Sequence, residues 1–320
     1  MPDIGHRFVE TNGIRMHIAE QGSGPLVLLL HGFPELWYSW RHQLSALAEA
    51  GFHVVVPDLR GFGQTDAPAE WQRYSQVHLV GDVVGLLDAL GEERAVVVGH
   101  DWGATLAWTT ALLRPDRVRG VAALSVPYRP RGPQSVLTTL RARAGERFYM
   151  QYFQAPGVAD AELGRDARAT LRRVLYTASG AVPPSPTLAL AAEGGGWLDQ
   201  MQDPTTLPEW LTEADLDTFA TEFARTGFTG GLNWYRAIDL TWELLAAWHG
   251  ALVTRPALFV VGDRDLTVAL TRAPDVIDNL RRFVPDLRDA RVLPGCGHWT
   301  QQERPAEVNA ALLDFVAALT

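Results

Sequence analysis

The stretch Ala95-Val96-Val97-Val98-Gly99-His100-Asp101-Trp102-Gly103-Ala104 decides the fold. A short apolar run rich in valine is the pattern of a strand buried on both faces. It breaks at Gly99, and a helical pattern follows over Gly103–Leu113. Strand, tight turn and helix with glycines at both flanks is the G-x-nucleophile-x-G form of a nucleophile elbow. The chain turns so sharply there that the apex residue is strained and a flanking Cβ would clash. The apex sits at the carboxyl edge of the sheet, where open α/β sheets place their ligands. Here the apex is Asp101. A carboxylate can displace at a saturated electrophilic carbon and leave an alkyl ester for water to cleave. The plainer reading, an Asp that caps the helix, does not require glycine on both sides.

Outward from this elbow the same grammar repeats. Pro25–Leu30, His53–Val56 and Val118–Ser125 read as buried strands, and Tyr38–Ala50 and Ser75–Leu90 as helices. Such alternation implies a mostly parallel, doubly wound α/β sheet. Arg7–Glu20, with Asn12-Gly13 at its centre, reads as an antiparallel hairpin at the sheet edge. After Pro127 strand signals nearly vanish, and the chain is helical and aromatic with irregular stretches at Val182–Pro186 and Gly194–Gly196. Buried-strand patterns resume at Ala257–Val261 and Ala290–Leu293, and Pro305–Leu319 closes as an amphipathic helix. The economical division is a core of residues 1–127 and 249–320, interrupted by a helical insertion at 128–248. Asp58–Thr65 contains G-x-G, but without a third glycine or a following helix it reads as a sharp turn rather than a dinucleotide loop.

In folds built on such an elbow the partners follow in the order acid, then His. Phe259–Val261 leads into Gly262-Asp263-Arg264-Asp265, and Leu293 leads into Pro294-Gly295-Cys296-Gly297-His298-Trp299. Both loops fall at the edge that carries Asp101. His298 is the expected base. Asp265, deeper in its loop, is the expected orienting acid, with Asp263 as the alternative. Cys296 has no elbow of its own and reads as a small loop residue. The loop His31-Gly32-Phe33-Pro34 follows the first parallel strand. One oxyanion donor comes from that loop and one from the residue after the nucleophile, which assigns the N–H groups of Phe33 and Trp102. His31 reads as a residue that orders the loop.

Composition narrows the chemistry. The chain has 320 residues, 47% hydrophobic and 20% charged, with net charge −9. That balance suits a globular enzyme and argues against nucleic-acid or anionic-membrane partners. All 28 Lys/Arg positions are arginine, so Schiff-base and P-loop lysine chemistry are excluded. One cysteine allows no internal disulfide. The first residues lack a signal-peptide pattern, and no apolar run is long enough to span a bilayer; a cytoplasmic location is the simplest expectation. The nine histidines show no metal-ligand spacing, and no metal or organic cofactor is expected.

Taken together, His31-Gly32-Phe33-Pro34, Gly99-His100-Asp101-Trp102-Gly103 and Gly297-His298-Trp299 resemble the soluble epoxide hydrolases of the α/β-hydrolase fold. The resemblance extends to Tyr149–Gly157 and Gly227–Arg236 and covers nearly the whole chain. It implies that the insertion is a lid and that Tyr149 and Tyr235 donate hydrogen bonds to an epoxide oxygen. Tyr152, three residues after Tyr149, is the rival for the first role. The substrate so implied is a small apolar epoxide, with water as the second reactant. His31, Pro34, His100 and Trp299 would support the site. Glu35 resembles an acid that orders water in some plant relatives; a surface or helix-start carboxylate is the other reading. Haloalkane dehalogenases share an Asp nucleophile, but a halide needs N–H donors, and the Phe33 side chain has none. Fluoroacetate dehalogenases carry an Arg where this chain has Trp102. Asp101 excludes a serine esterase as the main activity. A non-catalytic ligand-binding protein of this fold is the remaining alternative.

Overall fold

The computed structural model describes residues 4–269 and 272–319. Its eight strands form one sheet in the order β1-β2-β4-β3-β5-β6-β7-β8. They are β1 Gly5–Thr11, β2 Ile14–Gln21, β3 Leu26–Leu30, β4 His53–Pro57, β5 Ala95–His100, β6 Val118–Leu124, β7 Ala257–Gly262 and β8 Leu287–Leu293. β1 and β2 are the expected antiparallel hairpin, with Asn12 and Gly13 both at positive φ. β2 pairs antiparallel with β4, and every later pairing is parallel.

The core helices are α1 Arg41–Glu49, α2 Gln76–Leu90, α3 Trp102–Leu113, α11 Leu266–Ala269, α12 Ala273–Phe283, α13 Thr300–Glu303 and α14 Pro305–Ala317. Between β6 and β7 run α4 Val136–Ala144, α5 Tyr149–Tyr152, α6 Val158–Gly164, α7 Ala167–Thr177, α8 Glu213–Thr226, α9 Thr229–Arg236 and α10 Ile238–Leu244. None of the described strands comes from that insertion. No described helix is long and apolar enough to cross a membrane.

The valine and leucine runs become central strands because helices cover both faces of the sheet. Val27, Leu29, Val96 and Val98 pack with Leu44 and Leu47 of α1 and Leu312 and Phe315 of α14. Their neighbours Leu28, Leu30 and Val97 face the opposite way, toward Leu86 of α2 and Leu106 of α3. That second cluster is continuous with Leu171, Phe219 and Trp234 of the insertion, which therefore shares the main core.

One strand departs from expectation. Ala290–Leu293 is part of an edge strand, and of β8 only Leu293 is buried. With a neighbour on one side alone, β8 exposes Arg288, Asp289 and Arg291, which pair locally with Asp286, with each other and with Asp314. Charged residues on an exposed edge hinder pairing with another chain.

Candidate active site

Asp101 stands between β5 and α3 at φ 52°, ψ −117°, a strained conformation for a residue with a side chain. The glycines that flank it are there for space. A Cβ on Gly99 would lie 2.0 Å from the Gly103 carbonyl oxygen, and one on Gly103 2.0 Å from that of Leu30. The turn pushes the Asp101 carboxylate toward two other loops. Phe33 N–H donates to its Oδ1 at 2.8 Å. Nε2 of His298, from the loop after β8, is 3.5 Å from its Oδ2. Trp102, the residue after Asp101, opens α3.

Nδ1 of His298 is 2.8 Å from Oδ2 of Asp265, whose other oxygen accepts the Thr267 N–H at 2.8 Å. The alternative acid, Asp263, instead accepts from Gly295 N–H in its exposed turn. Burial works against charge at both members of the pair. On His298 the Asp265 carboxylate and the hydrogen bonds with Asp101 and Asp265 outweigh burial and raise the pKa well above the imidazole value. On Asp265 the His298 charge and the Thr267 hydrogen bonds outweigh it and lower the pKa.

Tyr149 and Tyr235 come together from α5 and α9, ring centroids 5.9 Å apart. Phe153 lies edge-on to both, and Trp197 stacks on Tyr149 at 5.7 Å. The Trp102 indole is perpendicular to Tyr235 at 5.0 Å. Both phenols are raised above 10, first by burial and then by neighbouring charge that includes Asp101. Tyr152 points elsewhere. It lines a surface crevice with Glu162 and Asp199. The larger crevice, about 620 Å³ beside His6, Trp37 and Asp217, also contains none of the residues around Asp101.

The supporting residues are mostly buried behind the carboxylate. His31 orders its loop, donating from Nδ1 to Gly32 O at 2.9 Å and accepting Leu59 N–H at Nε2 at 3.0 Å. Pro34 is buried after a cis peptide bond. Trp299 packs edge-on against His298 at 4.9 Å and donates its indole N–H to Leu175 O.

The reading of Glu35 as a surface carboxylate is overturned, since the residue is fully buried. Its oxygens receive Gly32 N–H, both side-chain amides of Gln301 and Gln302, and Nδ1 of His100 at 2.6 Å. Burial alone would raise its pKa; the charge and hydrogen bond of His100, then His31 and the Gly32 N–H, bring it down to about 2. His100 spends Nε2 on the His298 carbonyl oxygen at 2.7 Å, so the Glu35–His100 pair braces the loop that carries His298.

Some residues at the site were not anticipated. Gln301, Gln302 and Glu303 are buried, although a polar run before a final helix looks solvent-exposed in sequence. Ser125 also donates to the His298 carbonyl oxygen, at 2.7 Å. No short-range signal marks it.

This elbow, with Asp101, His298 and Asp265 brought together at one edge of a mostly parallel sheet, has the arrangement of an α/β hydrolase, and a family model described as "alpha/beta hydrolase fold" matches residues 25–305. Epoxide hydrolase 2 of Siraitia grosvenorii is 47% identical over 319 residues, 99% of both chains. Epoxide hydrolase A of Mycobacterium tuberculosis (strain ATCC 25618 / H37Rv) is 47% identical, covering 98% of this chain and 97% of its own. The structure of an epoxide hydrolase from an endophytic Streptomyces superposes with a TM-score of 0.95 at 47% identity, over 100% of this chain and 97% of that one. The chain therefore belongs to the epoxide hydrolases of the α/β-hydrolase superfamily.

Proposed function

We propose that this enzyme opens epoxides to vicinal diols through a covalent ester on Asp101, beneath a lid formed by residues 128–248. The observation that carries the reading is the placement of the Asp101 carboxylate. One oxygen is held by an oxyanion-loop N–H, the other faces His298, and the paired phenols Tyr149 and Tyr235 come from the insertion.

In the first step Oδ2 of Asp101 attacks one ring carbon and the C–O bond of the epoxide breaks. The electron pair goes to the epoxide oxygen, which Tyr149 and Tyr235 both hydrogen-bond and to which one of them gives its proton, becoming a phenolate. Their raised pKa values keep both phenols protonated, as donors must be, in the resting enzyme. In the second step His298 takes a proton from water, and the hydroxide adds to Cγ of Asp101. The negative charge gathers on Oδ1, where the Phe33 and Trp102 N–H groups stabilise it. Cγ–Oδ2 then breaks, the departing oxygen takes the proton held by His298, and the diol leaves with the original Oδ2 while the proton of the new Asp101 carboxyl restores the phenol. Asp265 keeps Nδ1 of His298 protonated and stabilises the imidazolium. A halide-displacing reaction would ask the Trp102 indole to hold the leaving group; here that indole packs perpendicular to the Tyr235 ring.

The test is a single turnover of excess enzyme with styrene oxide in oxygen-18 water. The label is expected in the Asp101 peptide and not in the diol. Label in the diol alone would mean direct attack by water and would refute the covalent route.

A further inference from the structure

One buried carboxylate near the triad has no part in these two steps. Glu303 ends α13 and is 7% exposed. Both of its oxygens are occupied by backbone N–H groups. Oε1 accepts from Trp299 at 3.1 Å, and Oε2 accepts from Gly297 at 3.0 Å and from Gly180 at 2.8 Å. Gly297 and Trp299 flank the base, and Gly180 belongs to the insertion, just beyond α7.

The backbone of His298 is held in the same way, by groups outside its own loop. Its N–H donates to Ala178 O at 2.9 Å, and its carbonyl oxygen receives His100 and Ser125. Segment 178–180 is fastened a third time from the loop of the triad acid, where Arg264 Nη1 donates to Gly180 O at 2.6 Å. The two loops meet at a distance no side chain fits. A Cβ on Gly297 would lie 2.3 Å from Gly180 N, and one on Gly180 2.2 Å from Gly295 O.

A carboxylate suits this junction chemically. It offers two oxygens and no donor to three converging N–H groups. Burial raises the Glu303 pKa, and the three N–H groups oppose that rise. An ionised group is costly to bury without full pairing, so the clamp is strongest when all three donors are in place.

We propose that Glu303 is a positioning residue for ester hydrolysis, fixing His298 opposite Asp101 only while insertion segment 178–180 is seated against the core. The inference rests on the two-step reading above and assigns Glu303 to the second step alone. None of its contacts reaches Asp101, Tyr149 or Tyr235, which carry the first.

The experiment follows both half-reactions by stopped-flow tryptophan fluorescence with styrene oxide and detects the ester by intact-protein mass. Glu303→Gln turns an amide N–H toward backbone N–H groups. Its hydrolysis rate constant is expected to fall about tenfold to a hundredfold, the scale of a base displaced by a fraction of an ångström to an ångström. Alkylation should be unchanged, and the ester should accumulate. Glu303→Asp, which keeps both oxygens, should recover part of the loss. Arg264→Ala loosens the Gly180 seat from an exposed position and should give the same split with Glu303 intact. His298→Gln, run alongside, reports on the two-step reading itself. Ester accumulation in His298→Gln with none in Glu303→Gln or Arg264→Ala would overturn the role of Glu303 alone. An equal fall of both half-reactions would overturn it too, as the mark of general destabilisation. No ester in His298→Gln would overturn the two-step reading and the proposal together.

Discussion

Asp101 and His298 are electrostatically coupled across 3.5 Å, from Oδ2 to Nε2, and Asp101 is one of the groups that raise the His298 pKa. Esterification would remove the Asp101 charge and with it that contribution. The imidazole would then lose its proton more readily just when a base is needed. Asp101→Asn imitates the neutral ester. In this variant the His298 pKa, followed by NMR of the ring, should lie below that of the parent enzyme. The parent should therefore keep its imidazolium to higher pH. Equal titration of the two proteins would mean that Asp265 alone sets the value.

Tyr149 and Tyr235 should be separable by kinetics from Asp101, His298 and Asp265. Tyr149→Phe or Tyr235→Phe removes one donor to the epoxide oxygen and leaves Asp101, His298 and Asp265 in place. Alkylation should fall, with about 10²- to 10⁴-fold as the range for general acid catalysis. Breakdown of ester already formed should change little. Because Tyr152 faces the Glu162 crevice, Tyr152→Phe should leave both rates near the parent values. A larger effect at Tyr152 than at Tyr149 would reverse the assignment.

These predictions depend unequally on sequence and structure. The elbow was readable because its constraint is local: Gly99 and Gly103 are required by atoms within the same turn and the neighbouring strand. Asp265 could be preferred over Asp263 from loop depth, and it is the one that contacts His298. Other features depend on which elements become neighbours in space. Tyr149 and Tyr152 lie on one short helix, and only the packing of α9 and Trp197 against it separates their surroundings. Glu35 looked like a possible surface acid because its partners, Gln301 and Gln302, lie more than 260 residues away. The exposure of β8 follows from its place at the end of the strand order, which its own apolar residues do not reveal.

Glu35 should make stability depend on acid. Its folded pKa is lowered from 4.5 to about 2. A lowered carboxyl pKa gives stability that is fully present above the unfolded value and is lost as pH falls through the folded value. Glu35→Gln should therefore be less stable than the parent at pH 7, by a few kcal/mol for a shift of this size in a fully buried group. The gap should narrow between pH 4.5 and about 2. Urea unfolding across that range measures it. A gap independent of pH would assign the loss to packing rather than to the carboxylate charge.

Arg60 and Asp82 form another buried ion pair, beside the turn of the β1–β2 hairpin. Their side chains are 0% and 3% exposed. Arg60 Nε and Nη2 reach the two Asp82 oxygens at 2.8 and 2.5 Å, and Asn12 of the β1–β2 turn adds a third donor at 2.8 Å. Such a pair contributes little compared with apolar residues of equal volume, yet losing one partner strands a charge in the core. Arg60→Met should thus destabilise the fold by about 3–5 kcal/mol. The double variant Arg60→Met/Asp82→Leu should recover much of that loss, because no charge is left unpaired. Neither change touches the Asp101 elbow, so kcat per folded molecule should hold. A double variant no more stable than Arg60→Met would show that the pair acts through its link to Asn12 and the hairpin turn, not through charge balance.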